Sequence, residues 1–303
     1  MARIHVSCRH DSGQRNGGHH GGTGGSTGTS IAKSLAEDFV GEPACKPTVA
    51  CLVITKNEER NIVDCLESAQ WANELIVIDA ESGDKTVELA RACGANVFVR
   101  PWPGFGLQKN FGMAQTSADW ILILDADERV TEELRGEVRG CIEGWRPGAS
   151  VAYRIPRRNF FYGAWVRGGG VYPDYQVRLF RRGIAQYNDV AVHENLIVDG
   201  EIGTLVGHLD HYTERRIKDH FKKFGHYTTL AAQEKAKKVR TVGWSDLVFR
   251  PLVVWAKTYL LKQGYRDGVN GLIVCLFASM YTFVKYAKLW DTTRQDASHQ
   301  DAR

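Results

Sequence analysis

The sequence lacks several signatures that would assign it to a protein class at once. Its seven cysteines form no Cys-X-X-Cys pair, and the chain has neither a Walker A phosphate loop nor a Gly-X-Gly-X-X-Gly motif. The missing motifs exclude a P-loop site and a dinucleotide site of the usual kind. The odd number of unpaired cysteines indicates a reduced, cytosolic protein.

The chain also carries little net charge. Its formal charge of +4 is too small to indicate a nucleic-acid partner. With 43% hydrophobic and 24% charged residues, the composition is that of an ordinary globular protein. A chain of 303 residues can bury a core without disulfides or structural metals, so collagen-like, coiled-coil and wholly disordered structures are excluded.

The first 46 residues differ in composition from the rest of the chain. Eight glycines and four histidines fall within the first thirty positions. This region has no apolar core of the kind found in signal peptides, so we expect no secretion signal. His-rich tracts can bind metal, but such a composition is more typical of disorder. We therefore predict a disordered tail over residues 1–46.

From Pro47 onward, short apolar runs alternate with helical patterns. The apolar runs predict strands at Thr48–Ile54, Glu74–Ile78, Ala95–Val99 and Trp120–Leu124. The segments between them predict helices near 59–70, 86–93 and 108–115. Alternating strands and helices predict a parallel sheet, whose ligands bind at the carboxyl ends of the strands.

The later part of the chain changes character twice. Short β-like pieces over 151–211 predict a mixed extension of the sheet, which completes a catalytic domain over 47–212. Amphipathic helical patterns then predict a basic helical region over 213–291, followed by a disordered tail over 292–303. The apolar run Gly268–Val284 is shorter than the ~20 residues of a spanning helix, so we expect a buried or interfacial helix.

Positive charge is concentrated in this helical region. Thr213–Trp290 contains fifteen Lys and Arg residues against five Asp and Glu residues. Two interpretations stay open, namely a solvated basic helical face and a segment held at an anionic membrane surface. Aromatic residues such as Trp244, Trp255 and Tyr259 would suit a membrane interface.

The strongest local motif is Asp125-Ala126-Asp127, which follows an apolar strand directly. The two carboxylates are thereby placed at the edge of the sheet where ligands bind. Oxygen ligands of this kind suit Mg²⁺ or Mn²⁺. The alternative is that both residues only cap the helix that begins near Thr131.

Polar residues also follow the first two strands. The first strand ends in Thr55–Asn61 and the second in Asp79–Thr86. Asn57 and Asp84 could each cap the following helix. Caps explain one side chain in each loop, but not the collection of acceptors at three strand ends. Such acceptors would bind the ribose hydroxyls and base N–H groups of a nucleotide.

Several blocks of the sequence resemble a known family. The segments TKNEERNI, VIDAESGDKT, QKNFGMA and LILDADE are similar to the family 2 glycosyltransferases with a GT-A fold. The pattern GGGVYPDYQVRLFRR, followed by VHENL, resembles the bacterial lipopolysaccharide-core β-glucosyltransferases of that family. The resemblance covers Thr48–Trp290. It implies an α/β fold with a mostly parallel central sheet flanked by helices and a helical C-terminal appendage.

The resemblance also implies an inverting transfer from a nucleotide-sugar with a divalent metal, Mg²⁺ or Mn²⁺. Carried over by motif, the donor-binding residues would be Thr55, Asn57, Glu58, Asp79, Lys109 and Asp125. Asp125 would face the ribose, and Asp127 would ligate the metal on the diphosphate. The pair Ala80-Glu81 departs from the Asp-Gly or Ser-Gly of many relatives, which affects base recognition.

An inverting transfer also needs a base that takes the proton of the acceptor hydroxyl. Glu194 is the candidate base, with a surface glutamate as the alternative. His193 is a candidate metal ligand beside Asp125 and Asp127, although a lone histidine is more often structural. Arg178 and Arg181 are candidates for binding phosphate or an anionic acceptor.

The sequence therefore predicts a hexosyltransferase that moves glucose from UDP-glucose to a lipopolysaccharide-core or related glycolipid acceptor. We expect it in the cytoplasm, peripheral on the inner face of the cytoplasmic membrane. Two alternatives stay open: a polyprenyl-phosphate sugar transferase, and a non-catalytic nucleotide-sugar-binding membrane protein. A nucleotidyltransferase is disfavoured because TKNEER lacks a glycine-rich phosphate loop.

Overall fold

A computed structural model describes residues 7–8, 46–188, 196–214, 216–237, 239 and 241–301 of the chain. The predicted tail lies outside these residues over 1–6 and 9–45, and so do the candidate base Glu194 and the candidate ligand His193. These described residues form thirteen strands and seven α-helices.

The strands belong to two sheets. They are β1 (Ser7–Cys8), β2 (Val49–Thr55), β3 (Glu74–Asp79), β4 (Asn96–Val99), β5 (Trp120–Asp125), β6 (Glu128–Val130), β7 (Ala152–Phe161), β8 (Ala164–Trp165), β9 (Asp174–Arg181), β10 (Ala185–Tyr187), β11 (Leu196–Val198), β12 (Ile202–Thr204) and β13 (Leu209–Glu214). The helices are α1 (Ile62–Ser68), α2 (Thr86–Ala92), α3 (Phe105–Met113), α4 (Glu132–Glu143), α5 (Ile217–Ala236), α6 (Trp244–Ala256) and α7 (Gly268–Asp301).

The main sheet has the strand order β4-β3-β2-β5-β9-β7-β13-β6. Strands β4, β3, β2 and β5 are parallel neighbours, as the strand–helix alternation predicted. Strand β9 is antiparallel to both β5 and β7, and β13 pairs in parallel with β7. A small second sheet has the order β1-β11-β10. The observed sheet, its flanking helices and the helical C-terminal region confirm the predicted fold class.

The central strand β2 is buried on both faces, which explains its continuous apolar sequence. One of its faces packs in a core with residues of α1 and α4, while the other packs in a core with β10 and α3. Helix α3 comes very close to the sheet at Gly112. A Cβ atom at this position would lie 2.4 Å from the side chain of Leu52.

The helical region follows β13. Helix α7 packs against α5 and α6, with a small core of Ala232, Tyr286 and Leu289. It continues to Asp301, beyond residue 291 at which the helical region was expected to end. The helix over Gly264–Arg294 is long and apolar enough to cross a membrane by length and composition. Only 22% of its most apolar 18-residue stretch is buried inside the protein.

Candidate functional site

Three parallel strands end side by side at one edge of the main sheet. Thr55 at the end of β2 pairs in register with Asp79 at the end of β3, and Ile54 pairs with Asp125 at the end of β5. The structure therefore brings the predicted loops together at the edge where α/β sheets bind ligands.

The carboxylate of Asp79 joins the first two loops. Asp79 is fully buried, and its Oδ2 atom accepts hydrogen bonds from Thr55 Oγ1 at 2.8 Å and Ser82 Oγ at 2.6 Å. Its Oδ1 atom accepts from the backbone N–H of Ser82 at 2.7 Å. Thr55 and Asp79 thus fix the shape of the loops that would surround a donor.

Asn57 and Glu58 belong to the same loop network. Asn57 has a left-handed backbone (φ 56°), and its Oδ1 atom accepts from the backbone N–H of Gly83 at 2.9 Å. Glu58 Oε2 accepts from Asn61 Nδ2 at 2.7 Å. Asn57 therefore connects the two loops, whereas Asn61 is the residue at the N-terminus of α1.

Lys109 lies in α3 and is buried. Its Nζ atom is 4.9 Å from the centre of the Tyr187 ring. The neighbouring Asn110 fixes this arrangement, because its side chain accepts from the Tyr187 N–H at 2.9 Å and donates to the Tyr187 carbonyl at 2.8 Å. The QKN motif thus places a buried positive charge near the end of β5.

The first residue of that motif, Gln108, is completely buried. Neither its Oε1 nor its Nε2 atom has a hydrogen-bond partner in the described part of the protein. Leaving a buried amide unsatisfied costs roughly 1–3 kcal/mol. Sequence reasoning did not select Gln108, although it lies beside Lys109.

Asp125 belongs to a cluster of carboxylates and guanidinium groups. Arg178 Nη2 donates to Asp125 Oδ2, and it also donates to Glu128 Oε1 at 2.7 Å. Arg157 Nη1 donates to the same Glu128 oxygen at 3.0 Å, while its Nη2 atom donates to Asp174 at 2.5 Å. Glu128 closes the cluster by accepting from the Asp125 N–H at 3.0 Å.

The cluster keeps Asp125 ionised. Burial raises the pKa of Asp125, but the charges of Arg178, Lys109 and Arg157 outweigh burial and hold this pKa well below its ordinary value. The side chain of Asp125 is 34% exposed, whereas those of Arg178 and Glu128 are 2% and 0% exposed. Asp125 is thus the solvent-facing member of a buried ionic network.

Asp127 lies beside His211 of β13. The Nε2 atom of His211 is 3.4 Å from Asp127 Oδ2, and its Nδ1 atom is 2.6 Å from Asn159 Oδ1. Burial lowers the pKa of His211, but the hydrogen bond and charge of Asp127 outweigh burial, so this pKa lies above its ordinary value. Sequence reasoning gave His211 no role.

We compared this donor set with the requirements of the implied Mg²⁺ or Mn²⁺ ion. Among the described residues, no group of three or more His, Cys, Asp or Glu side chains could hold an ion alone. Mg²⁺ commonly takes one or two protein carboxylates and completes its coordination with substrate phosphates and water. Asp127 and His211 therefore fit an ion that binds together with a diphosphate.

The structure does not bring every candidate to this edge. Arg178 is in the cluster, but Arg181 lies three residues along β9, and its guanidinium carbon is 3.9 Å from the centre of the Trp145 ring. An offset of three places the two side chains on opposite faces of a strand. Their nearness in sequence therefore did not indicate a shared site.

Sequence reasoning also missed Glu128, Arg157 and Asp174. Glu128 and Asp174 lie within the LILDADE and GGGVYPDYQVRLFRR blocks, so the motifs were a usable signal. Arg157 and His211 come from strands whose pairing with the rest of the sheet had not been predicted. Only the register of β7 with β9 and β13 reveals them.

Comparison with known proteins indicates the class of enzyme. Residues 50–167 match the family model described as Glycosyl transferase family 2. The lipopolysaccharide core biosynthesis glycosyltransferase LpsC of Rhizobium meliloti is 27% identical over 81% of this chain and 93% of its own length. The chain is a glycosyltransferase whose residues 50–167 match that family model.

Two solved structures resemble this glycosyltransferase more distantly. S. aureus TarS in complex with UDP has a TM-score of 0.42 and 14% identity, covering 82% of this chain and 92% of that chain. M. tuberculosis glucosyl-3-phosphoglycerate synthase in complex with Mn²⁺, UDP-glucose and phosphoglyceric acid has a TM-score of 0.32 and 25% identity. The match covers 37% of this chain and 44% of that chain.

The matched family region contains only part of the site of this glycosyltransferase. It includes the Asp125-Ala126-Asp127 motif and Arg157, but it ends at residue 167. Asp174 and Arg178 of β9 and His211 of β13 therefore come from the mixed part of the sheet, outside the matched region.

Proposed function

We propose that this glycosyltransferase transfers glucose from UDP-glucose, with inversion, to a lipopolysaccharide-core or related glycolipid acceptor. The observation that carries the proposal is the position of Asp125 and Asp127 at the end of β5, beside Lys109 and His211. Similarity to LpsC over 81% of the chain supports the choice of acceptor class.

The donor would bind across the ends of β2, β3 and β5. In this proposal Thr55, Asn57, Glu58 and Asp79 shape the pocket for the uridine. The Thr55–Asp79 hydrogen bond, the Asn57–Gly83 hydrogen bond and the bond from the Glu58 N–H to Thr86 Oγ1 at 2.8 Å link the two loops. Asp125, ionised and partly exposed, accepts from the ribose hydroxyls. These contacts orient the donor so that its sugar points toward the acceptor.

The diphosphate would lie beside Lys109 and Asp127. Asp127 and His211 are the residues that would hold Mg²⁺ or Mn²⁺. When bound, the ion stabilises negative charge on the departing diphosphate. The positive charge of Lys109 favours the same anion, and its burial strengthens that attraction.

The proposed reaction is a single displacement. Glu194 takes the proton of the acceptor hydroxyl as that oxygen forms its bond to the anomeric carbon. The bond between the anomeric carbon and the diphosphate oxygen breaks at the same time, and UDP leaves with the electron pair. Glu194 is proposed from the family pattern VHENL, since it lies outside the described residues.

The acceptor would be presented at an anionic membrane surface. This proposal rests on the excess of Lys and Arg in the helical region and on the resemblance to lipopolysaccharide-core enzymes. It places the enzyme in the cytoplasm, peripheral on the inner face of the cytoplasmic membrane.

A transfer assay with a panel of donors tests the proposal. The protein is incubated with radiolabelled UDP-glucose, or with other labelled nucleotide-sugars, and with lipopolysaccharide-core glycolipid or polyprenyl phosphate. We expect label from UDP-glucose in the glycolipid. Label in polyprenyl phosphate would replace the proposed acceptor, and donor binding without any transfer would indicate a non-catalytic protein.

A further inference from the structure

Helix α6 exposes a stripe of large apolar side chains. Trp244, Val248, Phe249, Leu252 and Val253 follow helical spacing on one side of the helix and are between 47% and 71% exposed. Monomeric soluble proteins rarely expose a contiguous apolar surface of this extent without a partner.

Helix α7 exposes a second apolar stripe. Val269, Leu276, Phe283 and Trp290 recur every seven residues, which keeps them near one face of the helix, and each is at least 41% exposed. Leu261, the last residue of the π-helical segment Lys257–Leu261 that continues α6, is 80% exposed. Because α6 packs against α7, the two stripes belong to one helical pair. We call Trp244–Trp290 the α6–α7 hairpin.

The charge of the hairpin complements an anionic surface. Trp244–Trp290 contains six Lys and Arg residues against two aspartates. Asp246 is paired with Arg250, and Asp267 accepts from backbone N–H groups. Lys257, Lys262 and Arg266 are exposed around the turn. Apolar stripes beside basic residues are the arrangement of helices that lie in a membrane interface.

The turn of the hairpin is fixed to the catalytic domain. Asp267 accepts from the backbone N–H of Gly168 at 2.6 Å, and Lys262 O accepts from the N–H of Gly169 at 2.9 Å. A Cβ atom at Gly168 would lie 2.4 Å from the Gln263 carbonyl oxygen, so glycine is needed for this close approach.

The opposite end of the hairpin is fixed to α5. Lys288 Nζ donates to Gly225 O at 2.7 Å, to Thr228 Oγ1 at 2.9 Å and to Thr229 Oγ1 at 2.7 Å. A helix crossing the bilayer would separate its two ends by ~30 Å of hydrocarbon. The turn and the opposite end of the hairpin instead both contact parts of the same folded body, so crossing would break these polar contacts.

We infer that the α6–α7 hairpin lies flat in the headgroup region of an anionic phospholipid bilayer, with its two apolar stripes inserted and without crossing the membrane. This inference deepens the proposed function and rests on it for the lipid-linked acceptor. The loop that begins at Gly168 and Gly169 connects the hairpin turn with the site. Asn159 of β7 donates to Val171 O of this loop at 3.4 Å, and it also donates to Asp174 Oδ2 at 3.3 Å. The loop held by the hairpin turn thus leads directly to the ionic cluster.

Vesicle flotation of the full-length protein tests the inference. Vesicles of phosphatidylglycerol and phosphatidylcholine are compared with vesicles of phosphatidylcholine alone, over a series of salt concentrations. The wild-type protein should float with the anionic vesicles, less so as salt rises, and alkaline carbonate should release it. Absence of flotation at low salt, or retention of the protein after carbonate treatment, would overturn the inference.

Two substitutions identify the surface. Leu252→Glu combined with Val253→Glu should lower the floated fraction roughly tenfold or more, because charges then replace inserted apolar groups. Val206→Glu is the matched control, since Val206 is 77% exposed but lies outside the hairpin, and it should float like the wild type. Equal flotation of the double variant would contradict the inference, provided that its melting temperature matches the wild type.

A second variant tests the charge. Lys257→Glu combined with Arg266→Glu should weaken flotation mainly at low salt, because the electrostatic contribution is screened at high salt. If the apolar stripes instead form a dimer interface, the wild type will sediment as a dimer and fail to float, which contradicts the inference. Flotation requires no donor, so flotation without any sugar transfer would overturn the proposed function alone.

Discussion

The Nη2 atom of Arg178 donates both to Asp125 Oδ2 and, at 2.7 Å, to Glu128 Oε1. Since Glu128 also binds Arg157 and the backbone N–H of Asp125, one buried carboxylate holds two guanidinium groups and the end of β5. The position of Asp125 at the candidate donor site is therefore set by residues that lie behind it.

Replacing Glu128 by glutamine should destabilise the protein strongly. The substitution nearly conserves shape but leaves Arg157 and Arg178 with one buried negative charge fewer. Removing one member of a buried ion pair costs about 3–5 kcal/mol. Denaturant unfolding followed by circular dichroism measures the change.

Glu132→Gln is the control for that measurement. Glu132 forms an ion pair with Arg135 at 3.1 Å, but its side chain is 81% exposed. Exposed pairs contribute about 0–1 kcal/mol, so this variant should unfold near the wild-type midpoint. Equal effects of the two substitutions would show that burial of the Glu128 cluster adds nothing to stability.

The ion pair between Asp174 and Arg157 predicts a dependence of stability on pH. Burial raises the pKa of Asp174, but the charge of Arg157 and the hydrogen bonds to Asp174 outweigh burial, so this pKa lies below its ordinary value. The ionised Asp174 therefore stabilises the folded protein at pH values above the pKa that Asp174 has in the unfolded chain. This stabilisation is lost as the pH falls through the lower pKa that Asp174 has in the folded protein.

Melting temperatures of the wild type and Asp174→Asn between pH 3 and pH 7 check this dependence. The wild type should melt at a higher temperature than Asp174→Asn at neutral pH. This difference in melting temperature should shrink below about pH 4, near the pKa of an unperturbed aspartate. A difference in melting temperature that stays constant from pH 3 to pH 7 would contradict the lowered pKa of Asp174.

The close contact at Gly112 predicts opposite effects for two glycine-to-alanine substitutions. A Cβ atom at Gly112 would lie 2.4 Å from Leu52 and 2.9 Å from Ile78, whereas one at Gly136 in α4 would meet nothing within 4 Å. Gly112→Ala should destabilise the protein by about 1–3 kcal/mol through overpacking. Gly136→Ala should stabilise it by roughly 0.5–1 kcal/mol through its helix preference.

Thermal unfolding of both variants measures the two effects. Because each change adds one methyl group within a helix, the comparison isolates the packing of α3 on the sheet. A Gly112→Ala protein as stable as the Gly136→Ala protein would mean that α3 does not pack on β2 at this distance.

The parallel half of the sheet could be predicted from the sequence because its signals are local. The buried strands β2 and β5 are continuous apolar runs, and Asp125 follows one of them directly. The loops at Thr55 and Asp79 then meet because parallel strands end at one edge.

The rest of the site could not be predicted in this way, because it depends on long-range pairing. Arg157 reaches Asp174 through the antiparallel register of β7 with β9, and His211 reaches Asn159 through the parallel register of β13 with β7. The sequence around Arg157 and Arg158 shows no apolar alternation that would reveal which arginine faces the site. In the structure Arg158 pairs instead with Asp210.

The proposed reaction depends most directly on Asp127. Its carboxylate lies beside His211 at the end of β5, and the proposed function gives it the divalent ion and the diphosphate. Asp127→Asn removes one charge while nearly conserving shape, so the folded protein should keep its melting temperature within a few degrees.

The decisive measurement is the initial rate at which label from UDP-glucose enters the glycolipid, for the wild type and for Asp127→Asn, with Mn²⁺ and with excess EDTA. We predict that the wild type transfers label with Mn²⁺ and loses this activity in EDTA. We predict a rate at least ~10²-fold lower for Asp127→Asn. An Asp127→Asn protein that transfers label as fast as the wild type, or a wild type that is fully active in EDTA, would contradict the account.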